Sequence, residues 1–247
     1  MGYQTKPKQT KFKMSKLDIL AFGVHPDDVE LSCAATIAKQ ISLGNKVGIV
    51  DLTKGQLGTR GNAELRLKEA ESAAKILGVS VRENLGMEDG YFENDWKHKL
   101  PIIKMIRKYQ PEYVFANALS DRHPDHGRAA KLVAECCFYS GLTKIETEQE
   151  PWRPKVVLHY IQDYMEKPDL VIDITGFWEK KKEAILAYGS QFYNPDSKEP
   201  ETPISSESFF DAVKGRHYVY GRYIGVEMGE GFQLARPVGI SELKNLI

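Results

Sequence analysis

Short apolar runs typical of strands alternate with amphipathic, helix-like segments along most of this chain. The predicted strands cover residues 17–24, 47–52, 81–85, 113–116, 156–160 and 170–174. The predicted helices cover residues 28–43, 63–77, 96–109, 126–139, 177–188 and 209–220. Apolar positions spaced by three and four indicate the helices, whereas continuous short runs indicate buried strands. This alternation predicts an α/β fold: a Rossmann-like, mostly parallel sheet with helices on both faces.

Two polar stretches directly follow strands of this predicted sheet. Residues 25–28 read His-Pro-Asp-Asp after the first strand, and residues 123–126 read His-Pro-Asp-His after the fourth. These eight positions hold half of the six histidines in the chain. Because ligands of open parallel sheets bind beyond the carboxyl ends of the strands, we expect both stretches to meet there in one active site.

The two stretches together offer the ligands of a catalytic zinc site. Such sites use about three protein ligands and leave one position open. His25, Asp28 and His126 form a matching set of two imidazoles and one carboxylate. We predict Zn²⁺ as the cofactor, although this set does not select zinc uniquely and another divalent transition metal would also fit.

Three further side chains of the same stretches remain free for proton transfer. Asp27 is a candidate general base, and His123 is a candidate acid for the leaving group. Asp125 is placed to steady an imidazole through a hydrogen bond. Each stretch alone would be explained as a turn before a helix, but the pair favours a metal hydrolase that attacks an amide or ester carbonyl.

Composition limits the expected classes of binding partner and indicates the cellular compartment. The 34 basic and 34 acidic residues cancel, so net charge does not favour nucleic acid or an anionic membrane. The sequence contains no apolar run of about 18 residues that would predict a membrane-spanning helix. Cys33, Cys136 and Cys137 lie in helical patterns, which predicts buried free thiols in a reducing, cytoplasmic environment. A small molecule is the expected partner.

Boundaries and loops follow from local composition. Residues 1–15 are rich in lysine and lack acidic side chains, which predicts a disordered basic tail or, alternatively, a basic docking arm. Residues 16–247 are predicted to form a single domain. Residues 193–207 are predicted to be a surface loop or, alternatively, a lid. The glycine-rich residues 55–61 lack the ending of a phosphate-binding loop, which argues against nucleotide binding.

The chain carries further motifs in addition to the two stretches. They are Glu30, residues 51–55 (Asp-Leu-Thr-Lys-Gly), residues 64–66 (Glu-Leu-Arg) and the extended residues 121–126 (Asp-Arg-His-Pro-Asp-His). Together they resemble the LmbE-like, PIG-L-type family of zinc N-acetylglucosaminyl deacetylases. Residues 190–192 (Ser-Gln-Phe) and 229–232 (Gly-Glu-Gly-Phe) make the chain most similar to the bacillithiol-biosynthesis deacetylases.

That resemblance implies removal of acetate from N-acetylglucosaminyl malate, a step of bacillithiol biosynthesis. Two alternatives stay open: a deacetylase or amidase of another N-acetyl sugar or thiol conjugate, and a catalytically silent metal-binding protein. The resemblance assigns metal binding to the ligand set given above. It makes Asp27 the base, His123 the acid or oxyanion-stabilising partner, and Asp125 the residue that orients His123. Because relatives form rings of several subunits, it also implies a homo-oligomer.

The same resemblance extends to substrate-binding residues. It implies that Arg66 contacts the substrate, with a surface ion pair to Glu64 or Glu69 as the alternative. Arg153 matches an arginine that reaches the site in relatives, from its own or a neighbouring subunit, and a plain surface position is the alternative. Phe209 stands near a position where some relatives have a tyrosine, so a hydroxyl contact is lost there.

Overall fold

One sheet of seven strands organises the computed structural model, which describes residues 16–247. The strands are β1 (Ile19–Gly23), β2 (Val47–Thr53), β3 (Val81–Met87), β4 (Tyr113–Ala116), β5 (Val156–Tyr160), β6 (Leu170–Asp173) and β7 (Gly229–Leu234). Their order across the sheet is β3-β2-β1-β4-β5-β7-β6. β1 to β5 run parallel, while β7 pairs antiparallel with β5 and β6. The predicted α/β class with a mostly parallel sheet is confirmed.

Six helices connect the strands, each close to its predicted bounds. They are α1 (Asp28–Ser42), α2 (Ala63–Leu77), α3 (Trp96–Tyr109), α4 (Pro124–Tyr139), α5 (Trp178–Leu186) and α6 (Glu207–Ile224). Local capping explains the best-predicted one, α2. Its Asn62 side chain accepts a hydrogen bond from the Leu65 amide, and Gly78 ends the helix in the left-handed conformation.

The alternation of side chains along β1 divides the core between the two faces of the sheet. Leu20 and Phe22 pack in a cluster with α3 and α4, whereas Ile19 and Ala21 pack in a second cluster with α1 and α5. All four side chains are buried. Helices therefore cover both faces, as predicted, and β1 reads as a continuous apolar run because both of its faces are buried.

The central position of β1 places the two polar stretches together. β1 lies between β2 and β4, so the crossovers leave it in opposite directions and create a switch point beside its carboxyl end. Residues 25–28 follow β1, and residues 123–126 open α4 after β4. The order of the strands thus brings together two segments that are far apart in sequence.

A break in α1 is held by a buried carboxylate from β7. Cys33 has non-helical dihedral angles (φ −135°, ψ 17°) within α1. The Glu230 carboxylate accepts hydrogen bonds from the backbone amides of Ala35 (3.3 Å) and Thr36 (2.7 Å), and the Lys181 ammonium donates to it at 2.6 Å. Glu230 therefore caps the second half of α1, whose first half carries a predicted metal ligand.

The remaining expectations concern thiols, membranes and the amino terminus. Cys33, Cys136 and Cys137 are free and buried, as predicted. Within residues 16–247, every helix is too short or too polar to cross a bilayer. The tail predicted for residues 1–15 lies outside the described residues.

Candidate metal centre and active site

The structure brings the three predicted metal ligands to one point. His25, Asp28 and His126 are buried, and each offers a ligand atom within 4.8 Å of the other two. The Nδ1 atom of His25 lies 3.7 Å from an oxygen of Asp28, and the Nε2 atom of His126 lies 3.3 Å from the other oxygen. Two nitrogens and a carboxylate therefore face the same small volume.

A carboxylate holds the far side of each imidazole. Asp89 is hydrogen-bonded to Nε2 of His25 at 2.9 Å, and Asp121 is hydrogen-bonded to Nδ1 of His126. These contacts fix the rings so that the opposite nitrogens face Asp28, which is the arrangement that metal-binding histidines usually have. The sequence prediction gave no role to either carboxylate. Asp121 belongs to the recognised motif, whereas Asp89 follows β3 without any local signal.

Hydrogen-bond donors other than the two imidazoles contact both oxygens of the Asp28 carboxylate. The backbone amides of Val24 (2.9 Å) and His25 (3.0 Å) donate to one oxygen, together with the Asn117 amide group at 3.0 Å. The Gln162 amide group donates to the other oxygen at 2.7 Å. Because every partner is a donor, the site holds Asp28 ionised and oriented, as a metal ligand must be.

The electrostatics of the site favour a cation between the ligands. Burial lowers the pKa of His25, but Asp28 and Asp89 outweigh it and raise that pKa to about 10. Burial likewise lowers the pKa of His126, but Asp28 and Asp121 raise it to about 9. Burial raises the pKa of Asp28, but the two histidines hold it well below its usual value. The donor set and its negative surroundings therefore fit a divalent metal ion.

A second trio overlaps with this set but is a poorer binding site. His25, His123 and Asp125 also bring ligand atoms within 4.8 Å of one another. However, its His123 is only partly buried, whereas all three residues of the first set are buried. The far nitrogen of each imidazole in the first set is also hydrogen-bonded to a carboxylate, whereas Nδ1 of His123 accepts only from a backbone amide. The first set is therefore the better candidate.

Asp27 lies beside the ligands, as a candidate base should. It precedes α1 with φ 126°, a conformation that residues other than glycine seldom adopt and that is tolerated mainly at functional sites. Burial raises its pKa to about 6, although the positive charge of Arg66 opposes that shift. A carboxylate with this pKa is ionised at neutral pH and still basic enough to accept a proton.

Arg66 lies in the site and not on the surface. Its guanidinium donates to Asp27 at 2.7 Å, and both side chains are buried. The guanidinium packs against Gly55 (φ 65°), where a Cβ atom would overlap it. Glu69, considered above as a surface partner, instead accepts hydrogen bonds from the backbone and side chain of Ser190. The contact of Arg66 with a substrate stays a prediction.

His123 faces the same pocket with a defined tautomer. It is the residue before α4, and its Nδ1 accepts a hydrogen bond from the Asp125 backbone amide at 3.3 Å. Burial lowers its pKa, and the nearby His25 and His126 lower it further. The neutral ring therefore carries its proton on Nε2. Here the structure differs from the expectation, because the Asp125 backbone and not its carboxylate orients His123.

An open pocket of about 340 Å³ gives access to these groups. The candidate ligands and proton-transfer residues line one side, and residues 201–204 of the predicted loop line another. The Arg60 guanidinium anchors this loop by donating a hydrogen bond to the Ser197 hydroxyl at 2.5 Å.

Phe209 lies in α6, and its ring stacks on that of Phe192, with the ring centroids 6.2 Å apart. It therefore offers only an apolar surface.

Arg153 does not join the site of its own chain. It precedes β5 and stacks on Phe138 near the end of α4, with its guanidinium carbon 4.3 Å from the ring centroid. Since the parallel strands β4 and β5 begin side by side, this position is at the amino edge of the sheet, opposite the pocket. Within one chain Arg153 therefore cannot reach the metal ligands.

Known proteins are similar to this chain in sequence and fold. The profile of the PIG-L family, GlcNAc-PI de-N-acetylase, matches residues 20–137. The conserved protein TT1542 from Thermus thermophilus is 34% identical, with a TM-score of 0.83 over 92% of this chain and 98% of that one. Diacetylchitobiose deacetylase of Thermococcus kodakarensis is 29% identical over 189 residues, which are 70% of each protein.

One similar protein has a different activity. The 4-oxalmesaconate hydratase of Pseudomonas putida is 24% identical over 252 residues, which cover 92% of this chain and 85% of that protein. Proteins similar to this chain therefore include a hydratase as well as deacetylases, and the fold alone does not determine the reaction. The family profile, the long match to TT1542 and the predicted motifs nevertheless agree: this chain belongs to the PIG-L family of de-N-acetylases.

Proposed function

We propose that this protein is a metal-dependent hydrolase that removes the acetyl group from an N-acetylglucosamine conjugate, specifically N-acetylglucosaminyl malate. The observation that carries the proposal is the position of Asp27 and His123. Both line the pocket beside the ligand set, and neither belongs to that set. Binding a metal ion requires neither residue, whereas hydrolysing an amide requires a base and a donor that stabilises the developing oxyanion.

The candidate ligand set would hold the metal ion that activates the amide and the attacking water. When bound by His25, Asp28 and His126, a divalent metal ion supplies Lewis acidity toward the amide carbonyl and makes water acidic enough to ionise near pH 7. The chain itself contributes the fixed geometry of these three side chains. We propose zinc as the native ion, and the donor set also fits other divalent transition metals.

Asp27 carries the proton in this reaction, and His123 stabilises the negative charge that develops on the carbonyl oxygen. Asp27 accepts a proton from the attacking water, and its ion pair with Arg66 (2.7 Å) holds the carboxylate in place. The Nε2–H group of the neutral His123 donates a hydrogen bond to the carbonyl oxygen as negative charge develops there, and Asp27 passes the proton taken from water to the departing amine. Asp125 supports His123 through the backbone hydrogen bond.

Acetate release tests this proposal. Zinc-loaded protein is expected to release acetate from N-acetylglucosaminyl malate, and Asp27→Asn is expected to slow that release by about 10²- to 10⁴-fold. Asp211→Asn, which makes the same change at an exposed position, serves as the matched control and should keep full activity. Release at equal rates by the wild type and Asp27→Asn would contradict the assigned base.

A substrate panel separates the alternatives. It contains N-acetylglucosamine, diacetylchitobiose, a thiol-conjugate amide and 4-oxalmesaconate beside the malate conjugate. Equal turnover of free sugar and malate conjugate would reject the malate assignment. Hydration of 4-oxalmesaconate without amide cleavage would favour the chemistry of the hydratase relative. Tight zinc binding without any turnover would favour a silent metal-binding protein.

We also propose a homo-oligomer in the cytoplasm. The last residues of the chain support assembly, because Ile240, Leu243 and Leu246 expose large apolar side chains. The buried free thiols support a reducing compartment. Sedimentation of the purified protein tests the assembly, and a monomer at micromolar concentration would reject it. Arg153 would act in catalysis only from a neighbouring subunit.

A further inference from the structure

A second, smaller cavity opens from the active-site pocket. Its volume is about 180 Å³. It shares wall residues with the active-site pocket: Leu31, Arg122, His126, Gln162 and Ile204. One of these is a metal-ligand candidate, and Gln162 hydrogen-bonds to another. A group attached to a substrate at the metal centre could therefore extend directly into this cavity.

Arg216 of α6 lines the cavity and has no bonded partner. The side chain is only 6% exposed. Across residues 16–247 its guanidinium forms no hydrogen bond and no ion pair. Burial lowers its pKa. None of its nitrogens is among the fully enclosed atoms that lack a partner within residues 16–247, so the five N–H donors of the guanidinium are accessible from the cavity. An acceptor group that enters the cavity can therefore bind them without displacing a side chain of the protein.

The two acidic side chains that line the cavity together with Arg216 are already engaged. Asp163 pairs with Arg122 at 2.7 Å. Asp121 is hydrogen-bonded to His126 and also accepts from the backbone amides of Asp163 (3.1 Å) and Tyr164 (3.2 Å). Their charges reach Arg216 only through space. The cavity therefore keeps an uncommitted positive charge close to the metal ligands.

We propose that Arg216 forms an oxyanion subsite that binds an acidic group on the part of the substrate attached to the N-acetylated sugar. A guanidinium binds carboxylate and phosphate alike through paired hydrogen bonds, and in a buried setting such charge-assisted contacts discriminate strongly. The inference rests on the proposed deacetylase function and extends it: Arg216 is the residue that selects for the acidic group of the conjugate. Arg66 is less available to bind the acidic group, because it is already paired with Asp27.

Three conjugates test the subsite. They are the neutral methyl glycoside of N-acetylglucosamine, N-acetylglucosaminyl malate and N-acetylglucosamine 1-phosphate. The zinc-loaded wild type should prefer one acidic conjugate over the methyl glycoside in kcat/KM, and the favoured acid identifies carboxylate or phosphate. Arg216→Gln should reduce that preference roughly 10- to 100-fold. Since the preference is a ratio, partial misfolding of the variant does not affect it.

Matched variants control for charge and position. Arg222→Gln removes an exposed arginine from the same helix and should leave the preference unchanged. Arg216→Lys keeps the charge and should retain more of the preference than Arg216→Gln. A preference that is absent from the wild type, or unchanged in Arg216→Gln, overturns the inference while leaving deacetylation intact.

A binding measurement keeps the inference testable without turnover. Malate and inorganic phosphate are titrated calorimetrically into zinc-loaded wild type, Arg216→Gln and Arg222→Gln. At least one of the two anions should bind about 10- to 100-fold more weakly to Arg216→Gln than to the other two proteins. If no conjugate is hydrolysed, the proposed function fails, and this titration alone decides: equal affinities for all three proteins would reject the subsite.

Discussion

At the scale of single residues, the site depends on the side chains that support the candidate metal ligands. His25 and His126 each have one nitrogen bonded to a carboxylate, so only the other nitrogen is free to bind a metal. Asp28 is fixed by donors on both oxygens. This preorganisation reduces the entropy lost when an ion binds, and it raises the basicity of the ligands.

Removing either supporting carboxylate should weaken metal binding. We expect Asp89→Asn and Asp121→Asn each to lower zinc affinity about 10- to 100-fold, because the imidazole loses its orientation and part of its basicity. Competition with a chromogenic chelator measures the affinity. Asp196→Asn, at an exposed position in the loop, is the matched control and should bind zinc like the wild type. Unchanged affinity in both test variants would show that the rings need no such support.

Gly55 should be required for the position of Arg66. An alanine there would overlap the guanidinium, displace it from Asp27 and reduce activity about 10- to 100-fold. Gly44→Ala is the control, since Gly44 also has a positive φ (90°) but an added Cβ meets nothing within 4 Å. Both variants should lose about 1–2 kcal/mol of stability, but only Gly55→Ala should lose activity. Equal activity of the two would refute the steric argument.

Sequence predicts some of these residues better than others. The ligand set and Asp27 stand in short motifs after strands, where spacing and residue type already indicate the chemistry. Asp89, Asn117 and Gln162 carry no such signal, because each meets its partner across 64 or more positions of the chain. The role of the Asp125 backbone was also beyond prediction, since side-chain chemistry says nothing about which amide points at an imidazole.

At the scale of elements, α1 joins the core to the site. Its first turn carries Asp28, and its break at Cys33 is capped from β7 by Glu230. Burial lowers the pKa of Lys181, while the adjacent Glu230 opposes that change. The pair is completely buried. A tertiary contact thus compensates for the break in α1. The first turn of the helix can therefore take the orientation that places Asp28 at the candidate metal site.

Loss of the Glu230 charge should destabilise the whole protein. Glu230→Gln leaves the Lys181 ammonium without a counter-ion and should cost about 3–5 kcal/mol in the free energy of unfolding. The double variant Lys181→Met/Glu230→Gln should recover part of that loss, because the uncompensated charge is gone. Urea denaturation measures both. Lys155→Met breaks an exposed ion pair and should leave stability nearly unchanged. A Glu230→Gln variant as stable as the wild type would contradict the need for a counter-ion to Lys181.

The elements themselves were largely predictable, with one exception. Apolar periodicity predicted all six helices and six of the seven strands within a few residues. β7 was missed because its Gly-Glu-Gly start has neither an apolar run nor alternation. The structure explains that start, since a Cβ atom on Gly229 would lie 2.5 Å from Val171 and one on Gly231 would lie 2.8 Å from Tyr220. Tight packing, not strand propensity, selects these residues.

At the scale of the whole molecule, the order of the strands creates the site. β1 lies at the switch point, and two segments distant in sequence meet beyond its carboxyl end. The motifs predicted this convergence because parallel strands end at the same edge. They did not predict that Arg153 lies at the opposite edge, because similarity to relatives does not specify which subunit supplies a residue.

Metal binding should stabilise the folded chain as a whole. An ion that binds only the native state adds about 2.7 kcal/mol when its free concentration is 100 times the dissociation constant. We therefore expect zinc to raise, and thorough chelation to lower, the urea midpoint of the wild type. His126→Gln should abolish most of that difference. An identical midpoint with zinc and with chelator would mean that the ion does not bind the folded state as proposed.

The most direct measurement is anomalous diffraction at the zinc edge from crystals of the zinc-loaded protein. The account predicts one strong peak bounded by Nδ1 of His25, Nε2 of His126 and the Asp28 carboxylate, at about 2.0–2.2 Å. Asp27 and His123 should lie beside that peak without binding it. A peak elsewhere, or one that takes Asp27 or His123 as a ligand, would contradict the division between metal binding and proton transfer.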